Sequence, residues 1–136
     1  MVVVVGIDET ERAATVLQHA MEEAERRGAE LHAVHVFHPP VMYFEVPVDV
    51  QALQSAQQRL VWERLEPALA ESPVPVKRVE LEGYPPDTLV AYAEEVGASL
   101  IVVGTRGRGD FAALVLGSTS HRVLHLASCN VLVITD

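Results

Sequence analysis

The residues best suited to chemistry in this chain form a glycine-rich segment behind an apolar run. The run is residues 100–103, and the segment has the spacing Gly-x2-Gly-x9-Gly-Ser-Thr, formed by Gly104, Gly107, Gly117, Ser118 and Thr119. Glycine lets a backbone come close to a ligand, and a helix beginning near Gly117 directs unpaired N–H groups and its positive dipole end at an anion. The pattern predicts a phosphate-binding loop, for which a nucleotide polyphosphate is the natural ligand. The simpler alternative is that the glycines shape a turn and Ser118 caps a helix.

The charge of the chain limits the partners that such a site can have. The chain carries 19 acidic and 10 basic side chains, which give a net charge of −9. A general nucleic-acid-binding or anionic-membrane surface needs a basic field, so neither nucleic acid nor membrane is expected as a partner. A phosphate ligand must therefore be held locally by backbone amides, by Arg106 or Arg108, or through a divalent cation.

Other nucleotide-binding and catalytic motifs fit the sequence poorly. A Walker loop needs a lysine after its second glycine, and the only lysine, Lys77, lies in a predicted strand. Residues 107–112 match the dinucleotide pattern Gly-x-Gly-x-x-Ala, but Gly117 interrupts the helix that should follow. No nucleophile elbow or Ser/His/Asp spacing is present. Binding is therefore favoured over turnover, with a slow ATP hydrolase or nucleotide-dependent transferase that uses Arg106 or Arg108 as the alternative.

The histidines do not predict a metal site. His121 and His125 share a helical face, but Arg122 stands where the helix of a zinc protease has a glutamate, and no third ligand is evident. Three further histidines alternate between the faces of a predicted strand and cannot form one ligand set, namely His32, His35 and His38.

Length and cysteine content bound the organisation of the chain. Its 136 residues fit one domain, residues 1–136, with no internal repeat or linker. Cys129 is the only cysteine, so no internal disulfide is expected, and a reducing, cytoplasmic compartment is the default. Residues 1–5 lack the basic region of a signal peptide and predict a buried first strand instead.

Apolar runs alternate with helical patterns along the chain. Five runs rich in β-branched residues predict strands at residues 2–7, 31–37, 74–81, 100–103 and 131–134. Between them, four helices are predicted, the first capped by Thr10 and the others beginning at about Asp49, Pro85 and Ser118. The second helix carries an apolar stripe formed by Leu53, Ala56, Leu60, Val61, Leu65 and Leu69. Such alternation predicts an α/β fold, an open parallel sheet with helices on both faces.

Two further features should meet at the carboxyl edge of this sheet, where open α/β folds bind ligands. Asp8 ends the first strand, and its carboxylate can accept ribose hydroxyls or approach a phosphate-bound cation. Capping of the first helix is its alternative role. Residues 38–47 contain three prolines and no period, which predicts an irregular loop that is either a lid over the ligand or a plain surface connection.

Taken together, these residues resemble the universal stress protein family, in particular its ATP-binding branch. The similarity covers essentially the whole chain, from the first strand with its terminal Asp8, through the second ending in His35 and Val36 and the Gly-x-Pro at Gly83, to the glycine loop and the closing strand after Cys129. The glycine spacing is the specific part, because in the family it accompanies ATP binding. The resemblance implies an adenine nucleotide α-hydrolase-like fold with strand order 3-2-1-4-5.

The resemblance also implies roles for individual residues. Asp8 would bind ribose or a magnesium or manganese ion carried by the phosphates, and Val36 would pack against adenine. The ribose and phosphates of ATP would be held by Val103, Gly104, Arg106, Gly107, Gly117, Ser118 and Thr119.

For the whole protein, the resemblance implies an ATP-binding stress-response or signalling module whose nucleotide occupancy changes what it associates with. It implies a homodimer formed through the last strand, residues 130–134, and a protein partner of unknown identity. A nucleotide-free dimeric scaffold is the alternative. The chain departs from the family at Glu9 and Thr10, where Gly-Ser is frequent, and this adds a negative charge near the phosphates and favours a metal counterion. Ser99 also stands where the family often has aspartate.

Overall fold

Parallel strands form the centre of the computed structural model, which describes residues 1–39, 49–105 and 117–135. Within these residues the strands are β1 Val2–Ile7, β2 Glu30–Phe37, β3 Val76–Glu82, β4 Leu100–Gly104 and β5 Asn130–Ile134. They form one sheet in the order β3-β2-β1-β4-β5, and every neighbouring pair is parallel. The fold class and strand order are therefore confirmed. β3 begins at Val76, later than the predicted residue 74.

Helices pack on both faces of the sheet. In the described residues they are α1 Ala13–Arg27, α2 Val50–Ala70, α3 Pro85–Glu95 and α4 Ser118–Leu126. One core cluster joins the sheet to α1 and α2, and a second joins its other face to α3 and α4. Strand β1 is covered on both faces, which explains its unbroken run of valine. None of these helices is long and apolar enough to cross a membrane.

Helix α1 ends as the sequence predicts but begins differently. Gly28 follows its last turn at a φ of 61°, a left-handed conformation that glycine adopts without steric cost. At the other end, Arg12 occupies the capping position and makes no side-chain cap. The prediction that Thr10 caps this helix is wrong, because its hydroxyl donates instead to the Asp8 carboxylate, 2.6 Å away.

Helix α2 buries less of its apolar stripe than the sequence suggests. Asp49 caps it as expected, since its carboxylate accepts from the Ala52 amide at 3.0 Å. Only the carboxyl-terminal half lies against the sheet, where Val61 and Leu65 are buried. Leu60, which the sequence pattern assigns to the stripe, is 61% exposed. The stripe therefore contributes to the core through its second half.

Candidate functional site

A cavity of about 290 Å³ opens at the carboxyl ends of β1 and β4, where the strand order reverses. This is the position at which open α/β sheets bind ligands. The described lining of the cavity includes seven of the nine residues predicted to bind the nucleotide, namely Asp8, Val36, Val103, Gly104, Gly117, Ser118 and Thr119. The structure therefore brings these sequence-predicted residues together, whereas Arg106, Gly107 and Arg108 lie outside the described residues. Most of the predicted 38–47 loop also lies outside them.

The amino-terminal end of α4 forms one side of the cavity. The first intrahelical hydrogen bond runs from the His121 amide to the Gly117 carbonyl. The earlier amides of the first turn therefore have no carbonyl acceptor within the helix. Ser118 and Thr119 line the cavity within this turn, which holds no acidic residue. The buried Ser120 hydroxyl donates to the Gly117 carbonyl at 3.0 Å. This side therefore presents N–H groups and a positive dipole end, the features that favour an anion.

An apolar wall lies on the face of the sheet covered by α3. Val34, Val36, Leu89 and Val103 line the cavity there, and all four are buried. Gly6 makes room for this wall, since a Cβ at that position would lie 2.8 Å from the Leu89 Cδ2 atom. A flat hydrophobic group can therefore rest against the wall while a charged group reaches α4.

Gly104 has a different structural role from the one expected. The sequence predicts that the absence of a side chain here lets the backbone come close to a ligand. A Cβ at Gly104 would instead lie 2.6 Å from the Val16 Cγ2 atom, on the opposite face of the sheet. The glycine lines the cavity with its backbone, and its missing side chain lets α1 approach the end of β4.

The turn after β1 places Asp8 at the cavity. Its Oδ1 atom accepts two hydrogen bonds from Thr10, from the amide at 2.9 Å and from the hydroxyl at 2.6 Å. These bonds fix the carboxylate within a short local turn, in which an aspartate side chain replaces a backbone acceptor. Asp8 is thus oriented before any ligand arrives.

A charged cluster around the buried His35, beside this turn, was missed by the sequence analysis. Register pairs His35 of β2 with Glu80 of β3, so both side chains share the face covered by α2. The His35 Nδ1 atom lies 2.8 Å from Glu80 Oε1, and Nε2 lies 2.9 Å from Glu9 Oε1. Trp62 of α2 donates its indole N–H to Glu80 at 2.6 Å. Because these partners are far apart in the chain, no spacing in the sequence indicates the cluster.

The cluster changes the protonation of its histidine. Burial opposes the charged imidazolium, but hydrogen bonds to Glu80 and Glu9 and the charges of both carboxylates outweigh it and raise the pKa of His35 to about 9. His35 is therefore a buried cation at neutral pH, next to a carboxylate that lines the cavity.

Arg12 is a second residue that sequence reasoning missed. Its Nη1 atom donates to the Thr105 carbonyl at 2.6 Å and lies 3.1 Å from the Thr105 hydroxyl. Thr105 directly follows β4 and is buried. The arginine therefore joins the start of α1 to the point where the chain leaves β4 for the glycine-rich segment.

The remaining histidines form no metal site within the described residues. His32 lies 2.8 Å from the Tyr92 hydroxyl and 2.9 Å from Glu30, on the other face of β2 from His35. His121 and His125 are exposed on α4. Cys129 is half-buried, and desolvation raises the pKa of its thiol, which does not favour a reactive thiolate.

Comparison with known proteins identifies the family. The model of the universal stress protein family matches residues 1–135. The chain belongs to this family. A universal stress protein of Thermus aquaticus is 38% identical over 130 residues, which cover 95% of this chain and 92% of that protein. One from Mycobacterium tuberculosis is 39% identical over 133 residues, but the match covers 96% of this chain and 44% of that protein. The chain thus spans less than half the length of its mycobacterial relatives.

Solved structures of universal stress proteins share the fold, and two of them hold nucleotides. One, in complex with cAMP, gives a TM-score of 0.71 at 28% identity and covers 100% of this chain and 98% of its own. The Archaeoglobus fulgidus protein in complex with dAMP gives a TM-score of 0.74 at 27% identity, covering 98% and 97%. Nucleotide binding by members of this fold is therefore established for these neighbours.

Proposed function

We propose that this universal stress protein binds ATP in the cavity between β1 and β4 and acts as a nucleotide-dependent stress-response module. The observation that carries the proposal is the composition of one cavity of about 290 Å³. It joins the first turn of α4, an oriented carboxylate and a buried apolar wall. These are the three environments that phosphates, a ribose and a base require. The cAMP and dAMP complexes of structural neighbours support the same ligand class.

Each part of the cavity suits one part of the ligand. The amides after Gly117 would hold phosphate, together with the glycine loop at Arg106 and Gly107. Asp8 would accept ribose hydroxyls, and Val36 would contact adenine. This arrangement neutralises the phosphates with local dipoles, as the net charge of −9 demands.

A magnesium or manganese ion would be held mainly by the phosphates. Within the described residues no group of three acidic, histidine or cysteine side chains could bind an ion. Asp8 offers one carboxylate, and Thr10 already occupies its Oδ1 atom. One carboxylate plus phosphate oxygens and water is the usual donor set for Mg²⁺ on a nucleotide. The residues therefore fit an ion that arrives with ATP.

Equilibrium dialysis of labelled ATP, with and without Mg²⁺, tests the proposal. Asp8→Asn keeps an acceptor for Thr10 but removes the charge, and we expect it to weaken Mg·ATP binding about tenfold. Asp49→Asn is the matched control, because Asp49 also uses one oxygen to accept an amide but does not line the cavity. Absence of saturable binding by the unmodified protein would refute the function.

We also propose that two copies associate through β5. This strand pairs with β4 along one side and ends the sheet in the described residues. It is rich in valine and leucine, and an exposed apolar edge strand favours pairing with another chain. Sedimentation velocity over a range of concentrations measures the association. A monomer at the highest soluble concentration would contradict a dimer.

A further inference from the structure

Glu9 lies where the nucleotide cavity meets a second cavity. The second cavity, of about 500 Å³, lies between the end of β2 and α2. In the described residues the two cavities share Glu9, His38 and Gln57, and no residue of α4 lines the second one. The first cavity therefore extends from α4 toward α2, and Glu9 lies at the α2 end.

Contacts with β2 and α2 and the turn that contains it position Glu9. Its Oε1 atom lies 2.9 Å from the Nε2 atom of the fully buried His35. Its backbone carbonyl accepts from the Arg64 guanidinium of α2 at 2.7 Å. The next residue, Thr10, is bound to Asp8 on the other side of the turn. The Glu9 side chain is 45% exposed, but its carboxylate contacts β2 and its backbone contacts α2.

The geometry of His35 also fixes its charge. Nδ1 lies 2.8 and 3.1 Å from the two oxygens of Glu80, and Nε2 faces Glu9. Carboxylate oxygens accept hydrogen bonds, so a ring with a proton on each nitrogen satisfies both contacts. Trp62 donates to Glu80 and holds the far end of the cluster. The imidazolium thus pulls the Glu9 carboxylate toward the sheet.

The two ends of the cavity therefore differ in charge. The α4 end offers N–H donors and a helix dipole, and the α2 end offers a carboxylate. A phosphate is attracted to the N–H donors of the first, whereas the Glu9 carboxylate at the second only accepts hydrogen bonds and offers a phosphate no donor. A nucleotide bound here would therefore place its phosphates toward α4 and a neutral N–H or O–H donor near Glu9.

We propose that Glu9 selects the nucleoside part of the ligand by accepting a hydrogen bond from it, and that His35 is the positioning residue that aims the Glu9 carboxylate. The inference rests on the proposed nucleotide site and adds a source of specificity to it. Two groups of an adenine nucleotide offer such a donor, the exocyclic amine of the base and the 2′-hydroxyl of the ribose. The experiment separates them.

Selectivity ratios test the proposal without interference from the phosphates. Affinities for ATP, ITP and 2′-deoxy-ATP are measured by calorimetry at one salt concentration and one Mg²⁺ concentration. ITP lacks the exocyclic amine and deoxy-ATP lacks the 2′-hydroxyl, whereas the triphosphate is the same in all three. Any repulsion between Glu9 and phosphate therefore cancels in the ratios.

We expect the unmodified protein to prefer ATP about tenfold over one of the two analogues, the range of a charge-assisted hydrogen bond. Glu9→Ala should bring that ratio close to one, and Glu9→Gln should reduce it. Glu11→Ala is the matched control, because Glu11 is exposed on the same turn but does not line the cavity. A change in the ATP to ITP ratio would identify the exocyclic amine as the donor, and a change in the ATP to 2′-deoxy-ATP ratio would identify the 2′-hydroxyl.

The role of His35 is tested by the same ratios. His35→Gln should lower the selectivity toward that of Glu9→Ala although His35 does not line the cavity. A purely structural defect would weaken all three nucleotides alike and leave the ratios unchanged. Glu80→Gln, which removes the other partner of His35, is a second variant if His35→Gln does not fold.

The outcomes separate this inference from the function on which it rests. If no nucleotide binds, both fail. The role of Glu9 is refuted, and nucleotide binding is not, by either of two results. In the first, the protein binds ATP, ITP and 2′-deoxy-ATP with equal affinity. In the second, Glu9→Ala leaves both affinity ratios unchanged. Loss of selectivity in Glu9→Ala and His35→Gln but not in Glu11→Ala establishes it.

Discussion

An acidic side chain at Ser118 should separate the stability of α4 from its ability to hold an anion. Ser118 is exposed in the first turn of α4 and lines the cavity. That turn has no acidic residue and no side-chain cap. In Ser118→Asp the new carboxylate complements the helix dipole, so α4 should become more stable by about 0.3–1 kcal/mol. The same carboxylate occupies the end of the cavity where we place phosphate.

The expected loss of affinity follows from Coulomb's law. A phosphate held by the first-turn amides would lie about one helical turn, roughly 5 Å, from the new carboxylate. At an effective dielectric constant of about 40, each pair of unit charges at that distance repels by about 1.7 kcal/mol. Screening by salt reduces the effect of the several phosphate charges. We expect a net loss of about 2 kcal/mol, which weakens ATP binding about thirtyfold.

Two measurements and a neutral variant test this reasoning. Urea unfolding without ligand reports the stability, and calorimetry with Mg·ATP reports the affinity. Ser118→Asn has nearly the same shape as Ser118→Asp without its charge, so it should bind ATP within a fewfold of the unmodified protein. Equal affinities for the two variants would show that no phosphate lies near the start of α4. A rise in salt concentration should narrow the gap between them.

Three further predictions concern the framework of the site. Gly104→Ala should cost about 1–3 kcal/mol in urea unfolding, because its Cβ would lie 2.6 Å from Val16 Cγ2, and the cost should shrink in a Val16→Ala background. Leu65→Ala should cost about 2–5 kcal/mol, whereas Leu60→Ala should stay within about 0.5 kcal/mol, since Leu65 is 0% and Leu60 61% exposed. The pKa of His35 is raised to about 9 in the folded protein, so its contribution to stability is complete below the unfolded value near 6.5 and is lost as pH rises through 9. Stability should therefore fall between pH 7 and about 9.5 in the unmodified protein but not in His35→Gln.

The fold could be predicted from the sequence because local and global signals agree. β1 and β4 are short apolar runs without alternation, as strands buried on both faces require, and each is followed by a helical pattern. For helix α2, the sequence did not predict which apolar residues are buried. Leu60 and Leu65 fit the same apolar pattern, yet only Leu65 meets the sheet. A helix longer than the sheet it covers leaves part of its stripe exposed, and the sequence does not say which part.

The site was predictable where it depends on one stretch of chain. Gly117, Ser118 and Thr119 are adjacent in sequence, and Asp8 ends a recognisable strand, so their meeting follows from parallel topology. The link between Glu9 and His35 depends on the position of a turn relative to β2, and the link to Glu80 depends on strand register. Neither link is indicated by the spacing of these residues in the sequence. The packing role of Gly104 could not be predicted either, because it depends on how closely Val16 of α1 approaches the end of β4.

The charged cluster around the buried His35 affects the cavity as well as stability. The His35 side chain is 0% exposed, so holding its charge away from water is costly, whereas Glu80 and Glu9 keep 26% and 45% of their side-chain surface exposed. An apolar residue of similar volume often serves a core equally well. Strands β2 and β3 could pair without it, since their ladder extends over seven register positions from Leu31 to Phe37. What apolar residues could not supply is a carboxylate fixed at the α2 end of the cavity. The cluster thus holds the Glu9 carboxylate in one direction. With the N–H donors of α4 at the opposite end, the cavity has an acceptor end and a donor end, which could orient a bound nucleotide.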